Sequence, residues 1–294
     1  MANRSLTMTN SPYAVVRKPL TFRRVMDILA LIALIVFLLV MLMPLVMIAL
    51  TSIKTEPEYF ANGPFALPQG LNLDGIVKTW QSTDYTTKLI NSTVISISTA
   101  ILATLLSLFN AFALGIGKVR GKALLTAFFL LAITLPAESL IYPLYYFFKI
   151  IHLYDTQISV ILMTAAFHSA YGTYLLSSVF SAFPIEMIEA ALIDGCNKIQ
   201  LLFRIIVPIS WSALSVLFVF FFIWTWNDFF LPLIFLITNS KQTVPLAMAL
   251  AQGEHSTVVT SQSAAALLGI VPCIIFFLLF QRTITRGVLA GSIK

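Results

Sequence analysis

The chain has 294 residues, 59% of them hydrophobic and 10% charged, with a mean hydropathy of +0.94 and a net charge of +6. Soluble domains carry about 25% charged residues, so this chain has too few to cover a solvated surface, and its apolar residues come in runs. A water-soluble enzyme is thereby excluded, and the basic excess is read as orientation of loops at a membrane and not as a nucleic-acid footprint.

The expected fold is all-α and integral to the membrane, with six runs long enough to cross a hydrocarbon core of about 30 Å as helix. Residues 1–26 form a polar, basic N-terminal segment with Arg4, Arg17, Lys18, Arg23 and Arg24. The apolar run that follows is too long for the core of a signal peptide, and none is expected. The first span covers about 28–50, and residues 51–87 read as a loop rich in turn formers such as Pro57, Gly63, Pro64, Pro68 and Gly70. The second covers 89–114, ahead of a basic turn with Lys118, Arg120 and Lys122. The third, 123–148, is expected to be interrupted at Pro136 and Pro143, and the fourth covers 158–180. The fifth, 207–237, is aromatic and expected to bend at Pro232. A polar loop over 238–260 precedes the sixth at 263–280. The membrane domain is thus 27–282, and 283–294 form a short tail.

Of the 18 Lys and Arg residues, only Lys54, Lys78, Lys88, Lys149 and Lys241 fall in odd-numbered loops. The rest lie in the terminal segments and even-numbered loops, which places both termini in the cytoplasm. Cys196 falls in a cytoplasmic loop and Cys273 in a membrane helix, and His152, His168 and His255 are scattered. Neither a disulfide, a metal site nor a catalytic cluster is expected.

The loop at 181–206 is more than a connector. Pro184 suits a first helical turn, Glu186 and Glu189 sit near the positive end of the helix dipole, and Ile188, Ala191, Leu192 and Gly195 recur as one apolar stripe. Gly195 permits the left-handed turn that ends a helix. A second short helix, 198–206, leads to Pro208. Two readings fit: a helix lying in the lipid interface, or a docking helix whose small residues fit a partner's groove. The acidic first turn favours docking.

Glu189-Ala190-Ala191, then Gly195, then Ile206-Val207-Pro208 resemble the EAA loop of bacterial ATP-binding-cassette importer permeases. Trp226-Asn227-Asp228-Phe229 with Pro232, the early Thr51-Ser52-Ile53-Lys54 with Pro57, and the tail from Gln281-Arg282 through Gly287-Val288-Leu289-Ala290-Gly291 to Lys294 are similar to the carbohydrate branch, and to the maltose-type second permease within it. The resemblance implies a type I importer permease in the bacterial inner membrane. It implies as partners a homologous second permease, two copies of a cytoplasmic ATPase and an extracytoplasmic solute-binding protein. Glu186, Glu189, Ala190, Ala191, Asp194, Gly195 and Pro208 would then form the ATPase-coupling element. In that family, sugar contacts lie mainly in the other permease. No Gly-x-x-x-x-Gly-Lys-Ser/Thr loop occurs, the nearest fragment being Gly121-Lys122-Ala123. ATP and Mg are therefore expected on the partner ATPases, and no cofactor on this chain.

Charges inside a membrane are expensive and draw functional suspicion. Glu138, between two prolines, serves either structure or substrate. Asp228, with Trp226 and Asn227 beside it, either shapes a gate or caps a helix break, and His168 is a third ionisable group at membrane depth. Trp224, Trp226, Phe229 and Phe230 could stack on sugar rings, although interfacial anchoring or packing is the favoured reading. The same holds for Tyr142, Tyr145, Tyr146, Tyr171 and Tyr174. The loop residues Gln252, Gly253, Glu254 and His255 would, by resemblance, touch the binding protein. The alternatives in other classes are an ion-coupled secondary transporter, which usually shows an inverted repeat, and an importer permease for a non-sugar solute.

Overall fold

A computed structural model of the chain describes residues 22–117, 119–254 and 258–292; Arg4, Arg17, Lys18, Lys118, His255 and Lys294 lie outside the described residues. Among those described, every regular element is helical. Four helices are long and apolar enough to cross a membrane, and two bent pairs raise the number of spans to as many as six. The first crossing helix, α1 (Phe22–Ser52), contains Pro44. Residues up to Met47 form one compact unit and those from Ile48 another, and the second unit holds the features that follow.

Its centre is the pair α4 (Tyr85–Gly115) and α7 (Gln157–Ser181). In lipid, helices gain little from burying apolar surface against each other, so close backbone approach through small residues drives association. The buried face of α4 carries Ser96, Ala100, Ala103, Ser107 and Ala111; that of α7 carries Ala165, Ser169 and Gly172. A Cβ on Gly172 would sit 2.2 Å from Ser107 Oγ and 2.8 Å from Phe221 Cζ, so only glycine fits. Ser107 Oγ donates to the carbonyl of Ala103 (2.6 Å) and reaches that of Ser169 (3.3 Å).

The third span breaks where α5 (Lys122–Thr134) meets Pro136. A 3₁₀ turn (Ala137–Leu140) then leads into α6 (Ile141–Ile150), and the two halves of the pair are bent by 97°. The interruption expected at Pro143 is absent. Pro143 lies in the first turn of α6, where its missing N–H had no helical acceptor anyway. After α7 come the two short helices of the loop, α8 (Ile185–Ile193) and α9 (Lys198–Ile209), the second bent by 80° from α10 (Trp211–Asn227). The bend expected at Pro232 falls earlier. Asp228 is extended (φ −69°, ψ 121°), and its Oδ1 accepts from the N–H groups of Phe230 (3.0 Å) and Leu231 (3.3 Å). That cap starts α11 (Phe230–Phe235), in whose first turn Pro232 sits without strain.

Both long loops contain helices that the polar composition hid. The first holds α2 (Glu56–Asn62), capped by Thr55 Oγ1 on the Glu58 N–H, and α3 (Asp74–Ser82). The second holds α12 (Val244–Glu254), whose Val244, Leu246, Ala247, Met248 and Ala251 are buried. The last helix, α13, runs Val259–Ser292, well past the expected end at residue 280, because no proline interrupts its polar continuation.

The segment ahead of α12 is tied to α4 by buried polar groups and to the turn before α7 by a partly exposed ion pair. Lys88 Nζ donates to both the carbonyl and the side-chain oxygen of Asn239, while Asn91 Nδ2 donates to the carbonyls of Ser240 (2.8 Å) and Gln242 (3.0 Å). Ser92 Oγ accepts from the Val244 N–H (2.8 Å). Asp155 accepts from the Thr238 N–H (3.0 Å) and pairs with Lys241 Nζ (2.9 Å). Partial burial raises the Asp155 pKa, but the hydrogen bonds from Lys241 and Thr238 outweigh it and bring it from 3.8 down to about 2.

Candidate functional sites

The short helix α8 is built from local signals. Pro184 stands at its N-cap, not inside its first turn. Its C-terminus is a complete Schellman closure: the Cys196 N–H donates to the Ala191 carbonyl (3.0 Å) and the Gly195 N–H to the Leu192 carbonyl (3.1 Å). Gly195 is at φ +85°, the left-handed conformation the sequence called for, with nothing near its missing Cβ. Asn197 and Gln200 then form a reciprocal capping box that starts α9 (both bonds 2.9 Å).

The apolar stripe differs from expectation. Met187, Ile188 and Ala191 face the core, whereas Leu192 and Gly195 are exposed. At 100° per residue, the inward three centre on the side opposite Glu186, Glu189 and Ile193. The outward face therefore combines Glu186, Glu189, Ala190 and Ile193, with Ile193 at 85% exposure, and Asp194 is exposed at the C-cap. A large aliphatic side chain held that far into solvent between carboxylates suits a partner's groove better than solvent.

Pro208 lies beyond a π-turn over Leu202–Ile206, in which the Val207 N–H reaches back to the Leu202 carbonyl. The wider turn accommodates the ring that would otherwise press on the carbonyl four residues earlier. Ile206, fully buried, anchors this end of α9 in the core that also receives Ala191.

A second site lies deeper. Glu138, Thr164, His168, Trp224, Asn227 and Asp228 line one cavity of about 430 Å³. The break after α5 supplies Glu138, the middle of α7 supplies Thr164 and His168, and the end of α10 supplies the rest. The His168 ring stacks on Phe221 at 5.3 Å and meets Trp224 edge-on at 5.5 Å. Trp226, grouped with Asn227 and Asp228 on sequence, lies apart from this cavity. It is 2% exposed and packs on Phe222 and Phe276, because neighbours two apart on a helix point to nearly opposite sides. Of the tyrosines, Tyr142, Tyr145 and Tyr146 pack edge-to-face on one another, while Tyr171 and Tyr174 line a separate groove of about 630 Å³ with Phe220. Thr164 had no signal in the sequence, since a lone threonine in an apolar run is ordinary.

A family profile described as "Binding-protein-dependent transport system inner membrane component" matches residues 103–289, a stretch containing both sites. The chain belongs to that family. It is therefore a multi-pass inner-membrane subunit of a binding-protein-dependent transport system. Among relatives of this permease is the trehalose transport system permease protein SugB of Mycobacterium tuberculosis, 30% identical over 245 residues, covering 83% of this chain and 89% of that one. Another is the sulfoquinovosyl glycerol transport system permease protein SmoH of Agrobacterium fabrum, 29% identical over 251 residues, covering 85% and 88%. In fold, the permease is similar to a chain of a bacterial ABC transporter that imports the acidic polysaccharide alginate (TM-score 0.74, 20% identity, 88% and 96% covered). That likeness assigns the type I importer permease architecture.

Proposed function

We propose that this permease imports a sugar or oligosaccharide, pairing with a homologous permease and two copies of a cytoplasmic ATPase, and taking cargo from an extracytoplasmic binding protein. The observation that carries the reading is the outward face of α8, held at a fixed angle by the Gly195 turn and the Asn197 capping box. The sugar class is supported by the cargo named for the relatives SugB and SmoH. The subunit is non-catalytic, and ATP and Mg bind to the partner ATPases, in keeping with a sequence that lacks a phosphate loop. Both termini lie in the cytoplasm, on the same side as α8, as the distribution of Lys and Arg supports.

In this mechanism, α8 seats in a cleft of the ATPase. Glu186 and Glu189 pair with basic groups there, Ala190 allows close approach, and Ile193 fills an apolar hollow. Ala191 and Ile188 transmit displacement inward because they are packed against the core and cannot slide independently. Asp194 and Gly195 close the helix, and the bend before α10 converts motion of α9 into tilt of the fifth span. Purified complex in nanodiscs, supplied with loaded binding protein, should hydrolyse ATP faster than without it. Wild-type complex that shows no such stimulation, or a chain that transports alone on an ion gradient, would overturn the proposal in favour of secondary transport.

A further inference from the structure

The cavity around Trp224 has the chemistry of a carbohydrate subsite, and it lies beside His168, close to the midpoint of α7, and Glu138, just after the break that divides the third span. Backbone is irregular here on two sides, at Pro136–Leu140 and at Asp228–Phe229. Inside a membrane, such irregularity is tolerated where it is buried in protein or lines a polar cavity. Two polar atoms within the wall, Thr164 Oγ1 and His168 Nδ1, are buried with no hydrogen-bond partner among the described residues, and Thr164 is 2% exposed. A buried polar atom is costly without a partner, and a hydroxyl-bearing guest is the kind of partner that these two lack.

Trp224 is 41% exposed, and its ring is fixed by stacking on Phe220 (15° between planes) and by edge contacts to His168 and Tyr171. A rigid indole of this kind offers an apolar face to the C–H side of a pyranose. The Glu138 carboxylate makes no hydrogen bond or ion pair among the described residues, and Asp228 spends one oxygen on the α11 cap and has the other to offer. Among the described residues, no Lys or Arg lines the cavity. Two carboxyls and no cation would accept hydroxyl or ammonium donors and repel an anionic ring.

We infer that this subunit itself holds cargo in transit, at a subsite that takes the ring of an uncharged or amino sugar and rejects uronates. The inference rests on the proposed sugar import and adds both the place and the charge of the cargo. It differs from the maltose-type resemblance, in which the other permease makes most contacts, and from the alginate importer, whose cargo is acidic.

The test uses the whole complex in nanodiscs, trapped with ATP and vanadate, and measures retention of radiolabelled maltotriose, chitosan disaccharide and an alginate disaccharide in the millimolar range. The expected result is retention of at least one of the first two and not of the third. Trp224→Ala should weaken retention about tenfold or more. The double variant Glu138→Gln with Asp228→Asn should gain retention of the alginate disaccharide, a gain that misfolding cannot produce; the Asn side chain keeps the α11 cap. Retention of the uronate by wild type, retention of no probe, or unchanged retention in Trp224→Ala would overturn the subsite. If wild-type complex lacks vanadate-sensitive, binding-protein-stimulated ATPase, it is the import reading itself that fails, a separate outcome.

Discussion

The loop from Pro184 to Ile209 and the segment from Thr238 to Thr243 are both short connections at the ends of spans, yet they are fixed by opposite means. The first is held by its own neighbours in sequence: a Schellman closure at Gly195, a capping box between Asn197 and Gln200, and a π-turn ahead of Pro208. The second is held by distant residues, with Lys88 and Asn91 from α4 and Asp155 from before α7 supplying its hydrogen bonds. Such a difference suits a lever on one side and an anchored surface on the other. A lever must keep its shape while it carries the helices it packs on, so its hydrogen bonds are internal. An anchored segment must keep its place, so its bonds are external.

The largest expected effect is on the lever. Gly195→Asp places a Cβ at φ +85°, a conformation that L-residues with side chains adopt reluctantly, and adds a carboxylate beside Asp194. ATP-driven uptake in proteoliposomes should be abolished, with insertion into the membrane unchanged. Full uptake by that variant would break the equation of this loop with coupling. Next comes the anchor. Lys88→Met leaves the Asn239 carbonyl without its buried donor and should lower unfolding stability by about 1–3 kcal/mol, read as a shift in thermal unfolding in detergent. Equal stability would mean that the tie to α4 holds nothing.

Smaller effects sharpen the contrast. Asn197→Ala removes one half of the capping box, a loss of about 1 kcal/mol. It should show as roughly fivefold faster amide exchange confined to the start of α9. Exchange spread across the bundle would mean that the loop is not self-contained. The smallest effect is the pH response of Asp155. Its pKa is depressed from 3.8 to about 2 in the folded chain, so its contribution is complete above pH 4 and is lost as pH falls through about 2. The pair is substantially solvated, which limits this to no more than about 1 kcal/mol. Asp155→Asn should flatten that acid limb of the unfolding curve. An identical acid limb in the variant would remove Asp155 from the tie.

The membrane class, the six apolar runs and the Gly195 turn were legible because each depends on a few adjacent residues. The same holds for the acids Glu138 and Asp228, conspicuous in apolar surroundings. Element boundaries were less so. Pro143 and Pro232 read as breaks, yet each sits harmlessly in a first turn, and the real break beside the second is made by Asp228. The helix α12 was invisible as a helix because its burial comes from neighbours remote in sequence.

Sequence by itself determined that this protein lives in a bilayer, how often it can cross, and how α8 ends, because hydrophobic length and local hydrogen bonds depend only on neighbouring residues. Tertiary structure alone decided which face of α8 turns outward and that Trp226 packs inside. It also brought Glu138, Thr164, His168, Trp224 and Asp228 around one cavity. Those outcomes depend on how closely α4, α7 and α10 approach, and that distance is set by small residues meeting across helices far apart in the chain.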